Sequence, residues 1–180
     1  MTDSVRSLID IDLDRLKSLA QKNVDNPEGG KRVSKAVTVC ESGFNNVTSV
    51  RDTAPVRVSE PNALLGDNSA ANPSEVALAA MGSCINVGLV ANAGYRGVNL
   101  TKAEVAMEGD IDISPVWGAG GNLDEDLILG FTAIRCEITI AGDADDETLK
   151  KIADQAMRWS PVVNTMQNPV DVTHITKVDA

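Results

Sequence analysis

The sequence predicts an α+β protein with a largely antiparallel sheet and one buried central helix. Three observations predict it. The first is a capped apolar run, NPSEVALAAMGSCINVGLVANAGYRG, from Asn72 to Gly97. The second is a set of short segments of alternating polarity on either side of that run, which reads as hairpin-connected strands. The third is a second amphipathic helix near the C-terminus, with Leu149, Ile152, Ala153 and Ala156 as its apolar stripe.

In chain order, Ser4 to Lys22 places Leu8, Ile11, Leu16 and Leu19 at roughly helical spacing with charges between them. This predicts a surface helix that would serve as an oligomer arm. Asn26, Pro27, Gly29 and Gly30 make a linker, which sets residues 1–33 apart from a domain spanning residues 34–180. Ser34 to Glu41, Val47 to Arg51 and Pro55 to Ser59 read as three strands of an antiparallel meander, with a turn at Ser42 to Asn46. Glu60 to Ala71 is rich in Pro, Asn, Gly, Asp and Ser and reads as a loop, placed to line a site.

The central helix starts with strong signals. Asn72 caps it, Pro73 fits the first helical position, and Glu75 sets negative charge at the positive end of the dipole. No side chain from Val76 to Ala93 is charged, which predicts burial on every face. The run is near the length of a membrane span, but Asn86, Asn92, Gly82, Gly88 and the lack of a flanking basic cluster favour a helix buried in protein. Small residues at Ala79, Ala80, Gly82, Ser83 and Gly88 would let another helix approach. The helix should end at Gly94 or Gly97, with Arg96 at the negative end of the dipole.

Leu100 to Ile113 sets Ala103, Val105 and Met107 against Lys102, Glu104 and Glu108, a strand with one wet face. Ser114 to Asp126 carries Pro, glycines and acids, an exposed hairpin connection. Leu127 to Ile140 returns as a strand with Ile134, Cys136, Ile138 and Ile140 on one face. A helix starts at Asp143 to Asp146 and stops before Pro161; Ser160 to Asn168 is a partly helical turn. Val170 to Val178 alternates as a closing strand.

Composition narrows the function classes. The chain has 180 residues, 43% of them hydrophobic, enough for one domain with a real core. Aromatics are only 3%, so aliphatic residues and Met must build that core. A net charge of −10 argues against electrostatic binding to nucleic acid or to an anionic membrane. Small molecules or protein are the expected partners. Met1 to Arg6 is polar and no signal-peptide pattern follows, so the expected compartment is the cytoplasm. Cys40, Cys84 and Cys136 have no metal-ligand spacing and are expected as free thiols. No cofactor is expected, since no G-x-G-x-x-G or P-loop is present.

The single histidine, His174, lies in the closing strand, so a triad would need that residue alone to reach a nucleophile. Cys84 is the best candidate for chemistry. Its plain alternative is a small core residue, since buried thiols in apolar surroundings are inert.

Three segments read together change this balance: N-P-S-E at Asn72 to Glu75, A-A-M-G-S-C at Ala79 to Cys84, and S-P-V-V-N-T at Ser160 to Thr165. The combination resembles the OsmC/Ohr family of thiol-dependent hydroperoxide reductases, over about Ser34 to Val178. The resemblance implies an intertwined homodimer with the central helices at its middle. It places Cys84 at the peroxidatic position, where a thiolate attacks the peroxide O–O bond. It puts Ser160 where the family has the resolving cysteine. The family's glutamate, which orients an arginine beside the thiolate, falls at Ser74. Glu75, one residue on and turned roughly 100° round the helix, becomes the candidate orienter. Arg51 is the candidate thiolate partner, with Arg57 or a partner-chain arginine as alternatives. Cys136 is a second candidate for resolving the sulfenic acid, and Cys40 reads as structural or exposed. Trp159 would wall an apolar pocket or fill core, and Trp117 would anchor an interface or act as a lid.

Two functions follow. One is one-cysteine reduction of organic hydroperoxides through Cys84, with an external thiol as reductant, in protection against oxidative stress. The alternative is a noncatalytic dimer of the same fold that binds a small apolar or electrophilic ligand.

Overall fold

The computed structural model describes residues 7–114, 117 and 129–179. Its elements run α1 (Leu13–Asp25), α2 (Pro27–Gly30), β1 (Val37–Ser42), β2 (Asn45–Ser49), β3 (Val56–Val58), a 3-10 turn (Asn62–Leu64), α3 (Pro73–Arg96), β4 (Leu100–Asp112), β5 (Gly130–Gly142), α4 (Asp146–Arg158) and α5 (Pro161–Gln167). The order is the expected α+β order, and both sheets are antiparallel: β1-β2-β3 and β4-β5.

α3 begins where its signals put it. The Asn72 side chain accepts from the Glu75 N–H at 2.8 Å, and the Glu75 carboxylate accepts from the Asn72 N–H at 2.8 Å. This reciprocal cap satisfies two donors that a helix start otherwise leaves bare. The helix stops at Gly97, whose φ of +71° is the left-handed conformation that glycine tolerates best.

Met81, Ile85, Leu89 and Ala93 form the buried stripe of α3 and meet Leu100, Leu149, Ile152, Ala156 and Val163 in the core. The close helix approach occurs at Gly88: a Cβ there would lie 3.1 Å from the Ala156 Cα and Cβ. The small residue thus sets the α3–α4 spacing. Burial on every face is corrected. α4 and β4 cover only part of α3, and Ala79, Ala80, Ser83 and Val87 remain exposed in the single chain.

The N-terminal arm differs from expectation. The helix begins at Leu13, because Asp12 caps it by accepting from the Arg15 N–H at 2.9 Å. Residues 7–12 run non-helically, with the Leu8 N–H donating to the Leu100 carbonyl at 2.8 Å; the predicted start at Ser4 lies outside the described residues. Ile9 and Leu13 close over Gly94, where a Cβ would meet Leu13 Cδ2 at 2.5 Å.

The meander touches the rest of the chain sparsely. Asp67, in the loop that follows β3, ties that loop back onto the meander: its carboxylate accepts from the Ser59 hydroxyl at 2.6 Å, the Ser69 hydroxyl at 2.7 Å and Asn45 Nδ2 at 2.9 Å. These bonds, Ser59 first, hold its carboxyl well below the usual carboxylate range. Phe44, in the β1–β2 turn, stacks on Trp117 with centroids 6.1 Å apart. Apart from Ser114 and Trp117, the predicted hairpin connection lies outside the described residues.

The predicted closing strand, Val170 to Val178, is also corrected. Residues 168–179 form no helix or strand, and Val172, Ile175 and Val178 are exposed. An alternating segment becomes a strand only when another strand satisfies its backbone groups, and no described strand pairs with it.

Candidate functional site

Cys84 sits in the third turn of α3, half-buried. Together with Val87, Gly88, Ala91 and Asn92 it follows the i, i+3, i+4, i+7, i+8 rule, so these residues share one face. That face forms one wall of a cleft of about 240 Å³. Gln155, Ala156, Trp159, Ser160 and Pro161 form the other wall. α4 thus runs antiparallel to α3 across the cleft, with Ser160 at the Cys84 end and Gln155 at the Asn92 end.

The S-P-V-V-N-T segment has a local structural reason. Ser160 caps α5, its hydroxyl accepting from the Val163 N–H at 3.3 Å, and Pro161 takes the first helical position. Val163 is buried in the core. Asn164 Nδ2 ties the turn down by donating to the Ser160 carbonyl at 2.8 Å and the Arg158 carbonyl at 3.0 Å. Ser160 is only 3% exposed, so its hydroxyl is held by this cap rather than by water. A serine there satisfies a helix start, but it offers no thiol.

The structure therefore brings Cys84 and Ser160 to one cleft. It does not bring Arg51 or Arg57 there. Arg51 occupies the turn after β2 with φ +50°, outside the cleft walls, and Arg57 pairs with Glu41 at 3.2 Å across the meander. Glu75 spends one carboxylate oxygen on the α3 cap and lines a different cavity, with Gly82, Ser83 and Asn86. The Glu60 to Ala71 loop contributes nothing to the cleft walls.

Cys136 faces the β4–β5 side of α3. It lines a separate cavity of about 490 Å³ with Met81, Met157 and Met166, and burial pushes its thiol pKa up. Cys84 is not in that wall. Cys40 is exposed on β1, its thiol donating to the Gly43 carbonyl at 3.3 Å. His174 lies in the exposed C-terminal segment. Among the described residues no three His, Cys, Asp or Glu side chains cluster as metal ligands.

Sequence reasoning missed two arginines that touch the cleft walls. Arg158 lies over the ring of Trp159, 5.2 Å from its centroid, a cation–π distance. Arg96 bridges the far end: its Nη1 donates to the Asn92 carbonyl at 3.1 Å and to Asn92 Oδ1 at 3.3 Å, and its Nη2 donates to Gln155 Oε1 at 2.6 Å. A signal was available for Arg96, since Cys84, Gly88, Asn92 and Arg96 stand four residues apart on one helical row.

The comparisons agree with this fold. The OsmC-like protein family matches residues 66–175, which carry α3, both long strands, α4 and α5. No curated protein matches the chain. An OsmC-like protein of Mycoplasma pneumoniae has a similar structure, with a TM-score of 0.63 at 14% identity, over 76% of this chain and 89% of that one. An organic hydroperoxide resistance protein of Legionella pneumophila gives 0.56 at 17% identity, over 78% and 95%. A hydroperoxide resistance protein of Bacillus subtilis gives 0.50 at 17% identity, over 78% and 94%. At such identities the likeness speaks for the fold, and the family match speaks for descent. The chain belongs to the OsmC-like protein family.

Proposed function

We propose that this protein is a one-cysteine thiol peroxidase that reduces organic hydroperoxides through Cys84. The observation that carries the reading is the shared cleft: the positions of the family's two cysteines, Cys84 and Ser160, face one apolar trough, while Ser160 lacks the sulfur to close a disulfide. In the first step the Cys84 thiolate attacks the terminal peroxide oxygen. The O–O bond breaks, sulfur becomes a sulfenic acid, and the alkoxide leaves and takes a proton as the alcohol. An external thiol then condenses with the sulfenic acid, releasing water and forming a mixed disulfide. A second thiol molecule frees Cys84 and leaves as the oxidised disulfide.

Arg158, held on Trp159 beside the Cys84 end, supplies positive charge at the cleft. A second copy of the chain is the natural cover for the bare face of α3 and for the exposed meander, which makes the working unit a homodimer. We place this activity in the cytoplasm, as a defence against oxidative stress.

The noncatalytic reading has one observation in its favour, the buried structural use of Ser160. Peroxide-dependent sulfenic-acid trapping, read by mass spectrometry, separates the two. Labelling of Cys84 at neutral pH by an organic hydroperoxide, absent in Cys84→Ser, supports the peroxidase. An unlabelled Cys84 under those conditions refutes it in favour of ligand binding.

A further inference from the structure

We infer that the cavity on the β5 side of α3, lined by Cys136, Met81, Met157 and Met166, binds a soft monovalent metal ion, Cu(I). The site is independent of the chemistry at Cys84, which lies outside that wall.

Of the five methionines in the chain, three stand around this one cavity of about 490 Å³. They arrive on three separate helices, Met81 on α3, Met157 on α4 and Met166 on α5, and Cys136 comes from β5. A fourth, Met107, pairs with Cys136 across the β4–β5 ladder, which sets their Cβ atoms about 5 Å apart on one face. Methionine is a common filler of irregular core gaps, but filling would leave no void. Here the thioethers border open space, while the largest fully buried apolar side chains, Ile85, Leu89, Leu100 and Ile152, are aliphatic.

The donor set selects the ion. Thioethers and a thiolate are soft ligands that favour Cu(I), whereas Mg²⁺, Ca²⁺ and Mn²⁺ are suited by carboxylate and carbonyl oxygen. Among the described residues no carboxylate and no histidine lines the cavity. Charge narrows the choice further. Cys136 is the single ionisable donor there, so its thiolate and a monovalent ion make a neutral complex, while Zn²⁺ would leave a positive charge against Phe131 and Ile134. Burial pushes the Cys136 thiol pKa up, so the free protein keeps the proton on sulfur. Binding forms the S–Cu bond and releases that proton to solvent, with no change of oxidation state. Met166 is the most exposed of the four donors, at 38%, and marks the way in.

The test uses the full chain carrying Cys40→Ser and Cys84→Ser, which leaves Cys136 as its only thiol. Without oxygen and with ascorbate as reductant, the protein is titrated with Cu(I) against the coloured chelator bicinchoninate. It is expected to withdraw about one equivalent of Cu(I), and X-ray absorption at the copper edge should show a shell of sulfur alone, with more than one sulfur per metal. Since a single thiol is present, the added sulfur must be thioether. Cys136→Ser should weaken binding on the order of a hundredfold, and Met157→Leu combined with Met166→Leu on the order of tenfold. Those leucines conserve volume and keep the packing. No transfer from the chelator, a shell holding nitrogen or oxygen, a single sulfur, or an affinity that survives either variant would overturn the inference. Displacement of the copper by equimolar Zn²⁺ would overturn it as well. The absorption spectrum and the zinc competition need no cavity variant, so a variant that fails to fold leaves the proposal exposed to refutation.

Discussion

Restoring a thiol at Ser160 tests whether the cleft places the two positions opposite each other. In the reduced Ser160→Cys protein the α5 cap is lost, which costs about 1 kcal/mol. The midpoint of thermal unfolding should then fall by about 2–4 °C for a chain of this size. On adding one equivalent of organic hydroperoxide, the sulfenic acid on Cys84 should condense with the introduced thiol, releasing water and closing a disulfide between positions 84 and 160. The enclosed loop is long, and chain entropy alone would give roughly 4–5 kcal/mol. Net of the lost cap, about 3–4 kcal/mol remains, equivalent to a rise of about 6–16 °C over the parent. Intact mass spectrometry with thiol counting reads the bond, and calorimetry with and without reductant reads the stability. A sulfenic acid that persists on Cys84 beside a free introduced thiol would refute the placement, because disulfide closure requires the two Cβ atoms within about 4.5 Å.

Four further outcomes follow from particular contacts. Leu89→Ala, at a fully buried core position, should lose about 2–5 kcal/mol, seen as a lower urea midpoint at constant m-value. Gly66→Ala would set a Cβ 1.9 Å from the Glu60 carbonyl oxygen, a backbone atom with no easy escape; a loss of at least about 2 kcal/mol is expected, and an unchanged midpoint would count against the loop geometry. Asp67 has a folded-state pKa below its ordinary 3.8, so the unfolded chain takes up its proton first as pH falls. Its contribution is complete above that value and drains away below it, and urea midpoints between pH 2 and 5 should therefore vary less with pH in Asp67→Asn than in the parent. Arg158→Gln should slow alkylation of Cys84 by iodoacetamide on the order of two- to fivefold, the modest range of a water-exposed charge; an unchanged rate would detach Arg158 from the site.

Much of the fold was legible because it rests on local signals. Asn72, Pro73 and Glu75 fix one end of α3 by hydrogen bonds within one turn, and Gly97 fixes the other. β4 and β5 were visible in their alternation, and the apolar stripe of α4 pointed to the residues that pack on α3. The failures have a common cause: Val170 to Val178 has strand periodicity, yet periodicity names a preference and a ladder needs a partner. The charge-free surface of α3 reads as burial all round, though which part is covered depends on where α4 lands. At the site, Cys84 and Ser160 could be found from their motifs. Arg96 owes its place to Gln155, 59 residues away, and no local pattern encodes such a meeting; Arg158 touches its own neighbour Trp159, but that this end of α4 lands beside Cys84 is again set by the packing of α4 on α3.

The slender attachment of the meander has a consequence for hydrogen exchange. Amides of β1, β2 and β3 are protected by one small sheet, which the Asp67 bonds and the Ser59 N–H donating to the Ala71 carbonyl at 3.2 Å hold to the loop ahead of α3. Those of α3 and α4 are protected by a shared core. In the isolated chain the two groups should exchange as separate cooperative units, the meander opening at a lower free energy while the helices wait for global unfolding. A surface laid across β1 to β3 would slow exchange in the meander first and leave the helices nearly unchanged.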